Sequence, residues 1–171
     1  MANEDPGQLL EKAGVQLASG EFEKSFRTYR KATEIDPASA PAYFGMAEAS
    51  MGIPKKTVQE VALLYQKACD LAPENALYYA TYGTFCFENG ILKKGEECFL
   101  KASEIDEENS SLYLSELATS FYHSAVENRE KYPNMADDDI RKTALKYILQ
   151  SFDITKEKAK KLIDDIELED R

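Results

Sequence analysis

The sequence predicts an all-α fold, an α-solenoid of stacked antiparallel helix pairs with an amphipathic helix at its C-terminal end. Three observations lead there. A nine-residue phrase occurs three times, as YRKATEIDP at Tyr29–Pro37, YQKACDLAP at Tyr65–Pro73 and FLKASEIDE at Phe99–Glu107. Tyr29, Tyr65 and Phe99 open the copies 36 and then 34 residues apart, a period that marks stacked two-helix units. Between the copies, apolar residues recur at helical rather than strand spacing.

Composition narrows the function classes. The chain has 171 residues, 43% of them hydrophobic, which is enough for a continuous core. Lys and Arg total 21 against 31 Asp and Glu, a net charge of -10. Binding a polyanion needs a basic patch, so neither nucleic acid nor an anionic membrane surface is an expected partner. The aromatic residues are therefore expected to pack in the core rather than stack on bases. The acidic start Met1–Pro6 does not read as a signal peptide, and no apolar run reaches membrane-spanning length. Cys69, Cys86 and Cys98 lie inside helical patterns without metal-ligand spacing. They are expected to be buried, reduced thiols, which places the chain in the cytoplasm.

The elements follow in order. Residues 1–7 are expected to be a flexible end. From Gln8, Leu9, Leu10, Ala13 and Leu17 recur at helical spacing until Gly20 interrupts them. A second helix carries Phe22, Phe26, Tyr29, Ala32 and Ile35 and stops at Pro37, which has no N–H to continue it. The next pair has Tyr43, Met46, Ala47 and Ser50, then a turn at Gly52–Pro54. Thr57 and Glu60 form a capping-box pattern opening a helix with Val61, Leu64, Tyr65 and Ala68. The third pair carries Tyr79, Tyr82, Gly83 and Cys86, turns at Asn89–Gly90, and continues with Gly95, Phe99, Ala102 and Ile105. Glu107 stands where the earlier copies have proline, leaving that turn to Glu108, Asn109 and Ser110.

These positions resemble the tetratricopeptide repeat. That family's pattern has two large residues, a small one and an aromatic on the first helix, then small, aromatic, small and proline on the second. Tyr79, Tyr82, Gly83, Cys86, Gly95, Phe99 and Ala102 match it in the third unit. Tyr43, Met46, Ala47, Ser50, Val61, Tyr65, Ala68 and Pro73 match it in the second. The first unit matches from Ser25 through Tyr29 and Ala32 to Pro37, whereas Lys12 departs from it. The resemblance covers residues 8–109 and implies a right-handed superhelix with a concave groove lined by the first helix of each pair. Ala13, Ala47 and Gly83 would allow close helix approach, and Tyr29, Tyr65 and Phe99 would fill the space between pairs.

The last third departs from the repeat. Leu114, Leu117, Ala118, Phe121, Tyr122 and Ala125 continue the helical stripe past the expected turn, to about Tyr132. Ile148–Thr155 then echoes the phrase at Phe99–Asp106. Thr155 is read as the cap of a last helix bearing Ala159, Leu162, Ile163 and Ile166. The expected organisation is thus repeats at 8–37, 38–73 and 74–109, a stretched fourth at 110–155, and a capping helix with tail at 156–171.

No catalytic constellation, cofactor motif or metal site is expected. His123 has no ligand partner at the right spacing and reads as a solvent-facing or groove-lining residue rather than a metal ligand. Asp137–Asp139 reads as acids at a helix N-terminus, favoured by the macrodipole. The expected function is a non-enzymatic protein-interaction scaffold. Its expected groove residues are Leu10, Leu17, Phe44, Glu48, Met51, Ala80, Thr84, Phe87, Leu114, Ala118 and Phe121. Edged by Glu48 and Glu88, this groove would take a hydrophobic or basic protein segment. One family branch grips chaperone C-terminal carboxylates with cationic residues. Leu10, Gly14, Phe44, Glu48, Ala80 and Thr84 fill the matching places here, so no such clamp is expected. A monomer is expected if the last helix docks on its own chain. The alternative is a structural, self-associating homo-oligomer that exchanges this helix.

Overall fold

The computed structural model describes residues 5–155 and 157–161, and among these all regular structure is helical. The helices are α1 (Pro6–Ala18), α2 (Phe22–Ile35), α3 (Ala40–Met51), α4 (Val58–Leu71), α5 (Ala76–Glu88), α6 (Leu92–Ile105), α7 (Ser110–Glu127) and α8 (Asp137–Ser151). Two compact units divide the chain, Met1–Tyr78 and Tyr79–Arg171, with the boundary inside α5.

Local chemistry sets the helix ends. α1 begins at Pro6 rather than Gln8, because Asp5 accepts a hydrogen bond from the Gln8 amide at 3.1 Å and proline fits the first turn. The Gly20 and Gly90 turns have φ of 73° and 69°, a region open to glycine at little cost. The Thr57–Glu60 capping box forms in both directions, at 3.2 and 2.9 Å. At the proline-less turn, Asp106 supplies the cap. It accepts from the Asn109 amide at 3.3 Å and from its side-chain nitrogen, above a short 3₁₀ turn at Glu107–Asn109.

In the first unit, Leu9, Ala13, Tyr29, Ala32, Ala42 and Met46 form one buried cluster. Tyr29 lies so close over Gly45 that a Cβ there would overlap its ring. Ser25 is wholly buried and donates to the Ala13 carbonyl at 2.9 Å, so a hydroxyl serves at this small-residue position. Ile35, expected on the same stripe, is exposed.

The second unit repeats this grammar and then changes it. Phe99 is fully buried, and a Cβ on Gly83 would come within 2.7 Å of its ring. α7 stops at Glu127, short of Tyr132, and passes into a 3₁₀ turn at Arg129–Lys131. This overrun is anchored on the preceding turn. The Tyr132 hydroxyl donates to the Gly90 carbonyl and accepts from the Leu92 amide at 3.3 Å, while Lys131 donates to the Asn89 carbonyl at 3.1 Å. α8 buries Tyr147, whereas Ile148, which opens the echo of the phrase, is half-buried. Thr155 accepts from the Lys158 amide at 3.3 Å, opening a helical turn at 157–161. The remainder of the expected capping helix, with Leu162, Ile163 and Ile166, lies outside the described residues.

Candidate functional site

Within the second unit, α5 and α7 flank an open cavity of about 210 Å³. α5 contributes Thr84, Phe87 and Glu88 to its wall. α7 contributes Thr119, Ser120, His123, Ser124 and Glu127. On α7, Thr119, His123 and Glu127 follow one another at four-residue intervals, so they line one face. Glu88, His123 and Glu127 are exposed, and Phe87 forms an apolar base. The Ser124 hydroxyl donates to the Phe87 carbonyl at 2.5 Å, joining the two helices beneath the cavity. The Thr84 and Thr119 hydroxyls donate to the Ala80 and Ser115 carbonyls of their own helices, at 3.2 and 3.0 Å, which leaves their lone pairs to accept. The two carboxylates supply negative charge.

The structure redistributes the expected groove residues. Thr84 and Phe87 reach the cavity wall, but Phe87 is only 3% exposed. Its ring stacks on Phe99 at 5.9 Å and meets Phe121 edge-on at 6.4 Å. Ala80, Ala118 and Phe121 are buried too, so these four side chains do not face water as expected. Leu114 lines a different cleft, formed with α6 and α8. α7 packs against both α6 and α8, which widens its buried stripe beyond what one helix pair requires.

In the first unit, Leu10 packs against the core cluster and Leu17 is half-buried. Phe44 stacks on Tyr78 at 4.4 Å and lies edge-on to Tyr65 at 5.8 Å. Glu48 accepts a hydrogen bond from the Tyr65 hydroxyl, which also contacts the Met51 sulfur at 3.6 Å. Burial, followed by the charge of Glu48, raises the pKa of Tyr29. Glu48 therefore belongs to an aromatic network. Met51, 54% exposed, presents apolar surface.

His123, expected to face solvent or line a groove, is exposed on the cavity wall. Thr119, Ser120 and Glu127 were not among the expected groove residues, because polar residues at four-residue spacing resemble any solvated helix face. Asp137 pairs with Arg129 at 2.8 Å and Asp138 lies 3.7 Å from Arg141, so two acids of the α8 cluster sit beside arginines. No described helix is long and apolar enough to cross a membrane.

Neither a family model nor a curated protein matches the chain. Solved structures do. MamA of Desulfovibrio magneticus RS-1, from position 41 to its end, is 18% identical, with a TM-score of 0.65 over 89% of this chain and 76% of that one. A thermophilic TPR protein of Thermus thermophilus is 17% identical, with a TM-score of 0.59 over 86% of this chain and 84% of that one. The fold is that of tetratricopeptide-repeat proteins. The TPR-like repeats of a putative kinesin light chain from Podosopora anserina extend the likeness, at 13% identity and a TM-score of 0.56 over 96% of each chain. At these identities the likeness concerns the fold alone.

Proposed function

We propose that the chain is a non-enzymatic scaffold that seats a basic segment of a partner protein between α5 and α7. The observation supporting this is the hydroxyl-lined cavity with Glu88 on one wall and Glu127 on the other. An extended segment would hydrogen-bond to Thr84, Thr119 and Ser120 through its backbone, and a Lys or Arg side chain would lie beside the two carboxylates. The net charge of -10 would speed the encounter, and the local carboxylates would select the partner. Helices held by their own core need little ordering on binding, so the entropy cost falls on the partner segment.

Burial of Phe87, Ala118 and Phe121 favours a basic over a hydrophobic partner at this site. The repeat divisions at 8–37, 38–73, 74–109 and 110–155 belong to this reading. So does a cytoplasmic location, which suits three buried thiols.

The test is fluorescence anisotropy with a labelled peptide of Lys, Ser and Ala, comparing wild type with Glu88→Lys/Glu127→Lys. Both carboxylates are exposed, so the double variant should keep its circular dichroism. Salt-sensitive binding by wild type, lost in the variant, supports the proposal. Equal binding by both proteins, or none by wild type, refutes it.

A further inference from the structure

The larger cleft of the second unit has a different chemistry. It measures about 670 Å³ and lies where α6, α7 and α8 converge. Leu100 of α6, Leu114 of α7, and Leu145 and Leu149 of α8 line it, together with Lys142 and Lys146. Leu145 is 56% exposed, an unusual position for a leucine beside other leucines at a cleft.

Spacing along α8 orders these groups. Leu145 and Leu149 are four residues apart, as are Lys142 and Lys146. A rise of about 1.5 Å per residue makes each a row roughly 6 Å long, one apolar and one cationic. No ion pair within 4.0 Å engages Lys142 or Lys146 among the described residues. Asp137 and Asp138 of the same helix, by contrast, have arginine partners. Lys146 lies 4.9 Å from the centre of the Tyr147 ring, and Asp153 is the one carboxylate on the cleft wall among the described residues. Two lysines against one aspartate are still a local reversal of sign in a chain of net charge -10.

We propose that this cleft is a second docking surface, whose occupant is an amphipathic helix of a partner protein with carboxylates flanking its apolar row. A helix repeats apolar and acidic side chains at the same four-residue pitch as the rows on α8. Burying leucine-type side chains in the cleft supplies affinity, while the lysines set orientation and reject basic segments. The two surfaces would thus select partners of opposite charge. This inference does not depend on the α5–α7 reading.

The test uses the full chain and a labelled, designed helix of Leu, Ala and Glu, with a Leu, Ala and Lys helix as control. The acidic helix is expected to bind with salt-sensitive affinity. Lys142→Glu/Lys146→Glu should weaken it by roughly tenfold or more, and Leu145→Glu similarly. Leu145 is exposed and the lysines lie at the cleft rim, so circular dichroism should be unchanged. Glu88→Lys/Glu127→Lys should leave this binding intact, which separates the two sites. Equal binding of the basic control, or indifference to both cleft variants, overturns the proposal. Binding seen only in Ile163→Asp/Ile166→Asp also overturns it, by assigning the cleft to the chain's own C-terminal residues.

Discussion

Tyr147 of α8 donates its hydroxyl to the carboxylate of Glu96 on α6, 51 positions earlier in the chain. This bond ties the second helix of the third pair to the second helix of the stretched fourth. Tyr147 is almost completely buried, so its polar end needs a partner and Glu96 meets that need. Tyr147→Phe removes the bond and leaves the ring. A loss of about 1 kcal/mol in urea unfolding is expected, because the half-buried Glu96 regains water.

The same tyrosine predicts behaviour in alkali. Burial, then the hydrogen bond to Glu96 and its charge, raise the Tyr147 pKa above the ordinary 10.0. Tyr29, Tyr78 and Tyr113 are raised as well, each chiefly by burial. A raised folded-state value means the stability contribution is complete below the unfolded pKa, near 10.0, and disappears as pH climbs through the folded pKa. Melting temperature should fall above about pH 10, and more gently in Tyr147→Phe.

Acid should act through the caps. The Glu60 carboxyl is held low, first by the Thr57 amide and then by its hydroxyl. Asp106 is held low chiefly by the Asn109 side chain. For depressed carboxyls the contribution is present above their unfolded pKa and is lost as pH falls through the folded value. Thr57→Ala should cost about 1 kcal/mol near neutral pH by removing the α4 cap. The deficit should shrink in acid, where protonated Glu60 no longer closes the box. Thermal melts at neutral and acid pH check both claims.

Gly83→Ala sets two effects against each other. Alanine in a helix gains about 1 kcal/mol over glycine. The new Cβ would lie 2.7 Å from the ring of the fully buried Phe99 and 3.3 Å from the Gly95 carbonyl oxygen. Overpacking costs about 1–3 kcal/mol, so the net change should be destabilising. Gly20→Ala meets no side chain, and its cost comes from the φ of 73° instead. Denaturation midpoints should fall in both, while only Gly83→Ala should alter the near-ultraviolet signal of the core aromatics.

Tyr132→Phe tests the anchored overrun of α7. The hydroxyl holds the Gly90 carbonyl and the Leu92 amide. Without it, hydrogen exchange at Leu92 should accelerate while exchange at Phe99 stays slow. Uniform acceleration would show that the turn does not open separately from the core.

Much of this was legible in local patterns. Thr57 with Glu60, Gly20, and Gly90 announced helix ends through short-range chemistry that acts wherever the chain lies. Asp106 is not legible as a cap in the sequence, because a carboxylate capping its own turn resembles any other acid of the repeated phrase. The site was less legible. Phe87 and Phe121 share α-helical spacing with surface positions, and only their mutual contact reveals them as core. Thr119, His123 and Glu127 look like an ordinary polar face until α5 is set opposite them.

By itself the sequence determined the repeat, the helix pairs and most of their ends, because periodicity, caps and turn residues act over a few positions. The tertiary structure alone decided which faces of α7 are buried, that Tyr147 reaches Glu96, and that Lys142 and Lys146 border a leucine cleft. Those relations depend on helices meeting across tens of residues. A single helix carries no record of which neighbour will cover it.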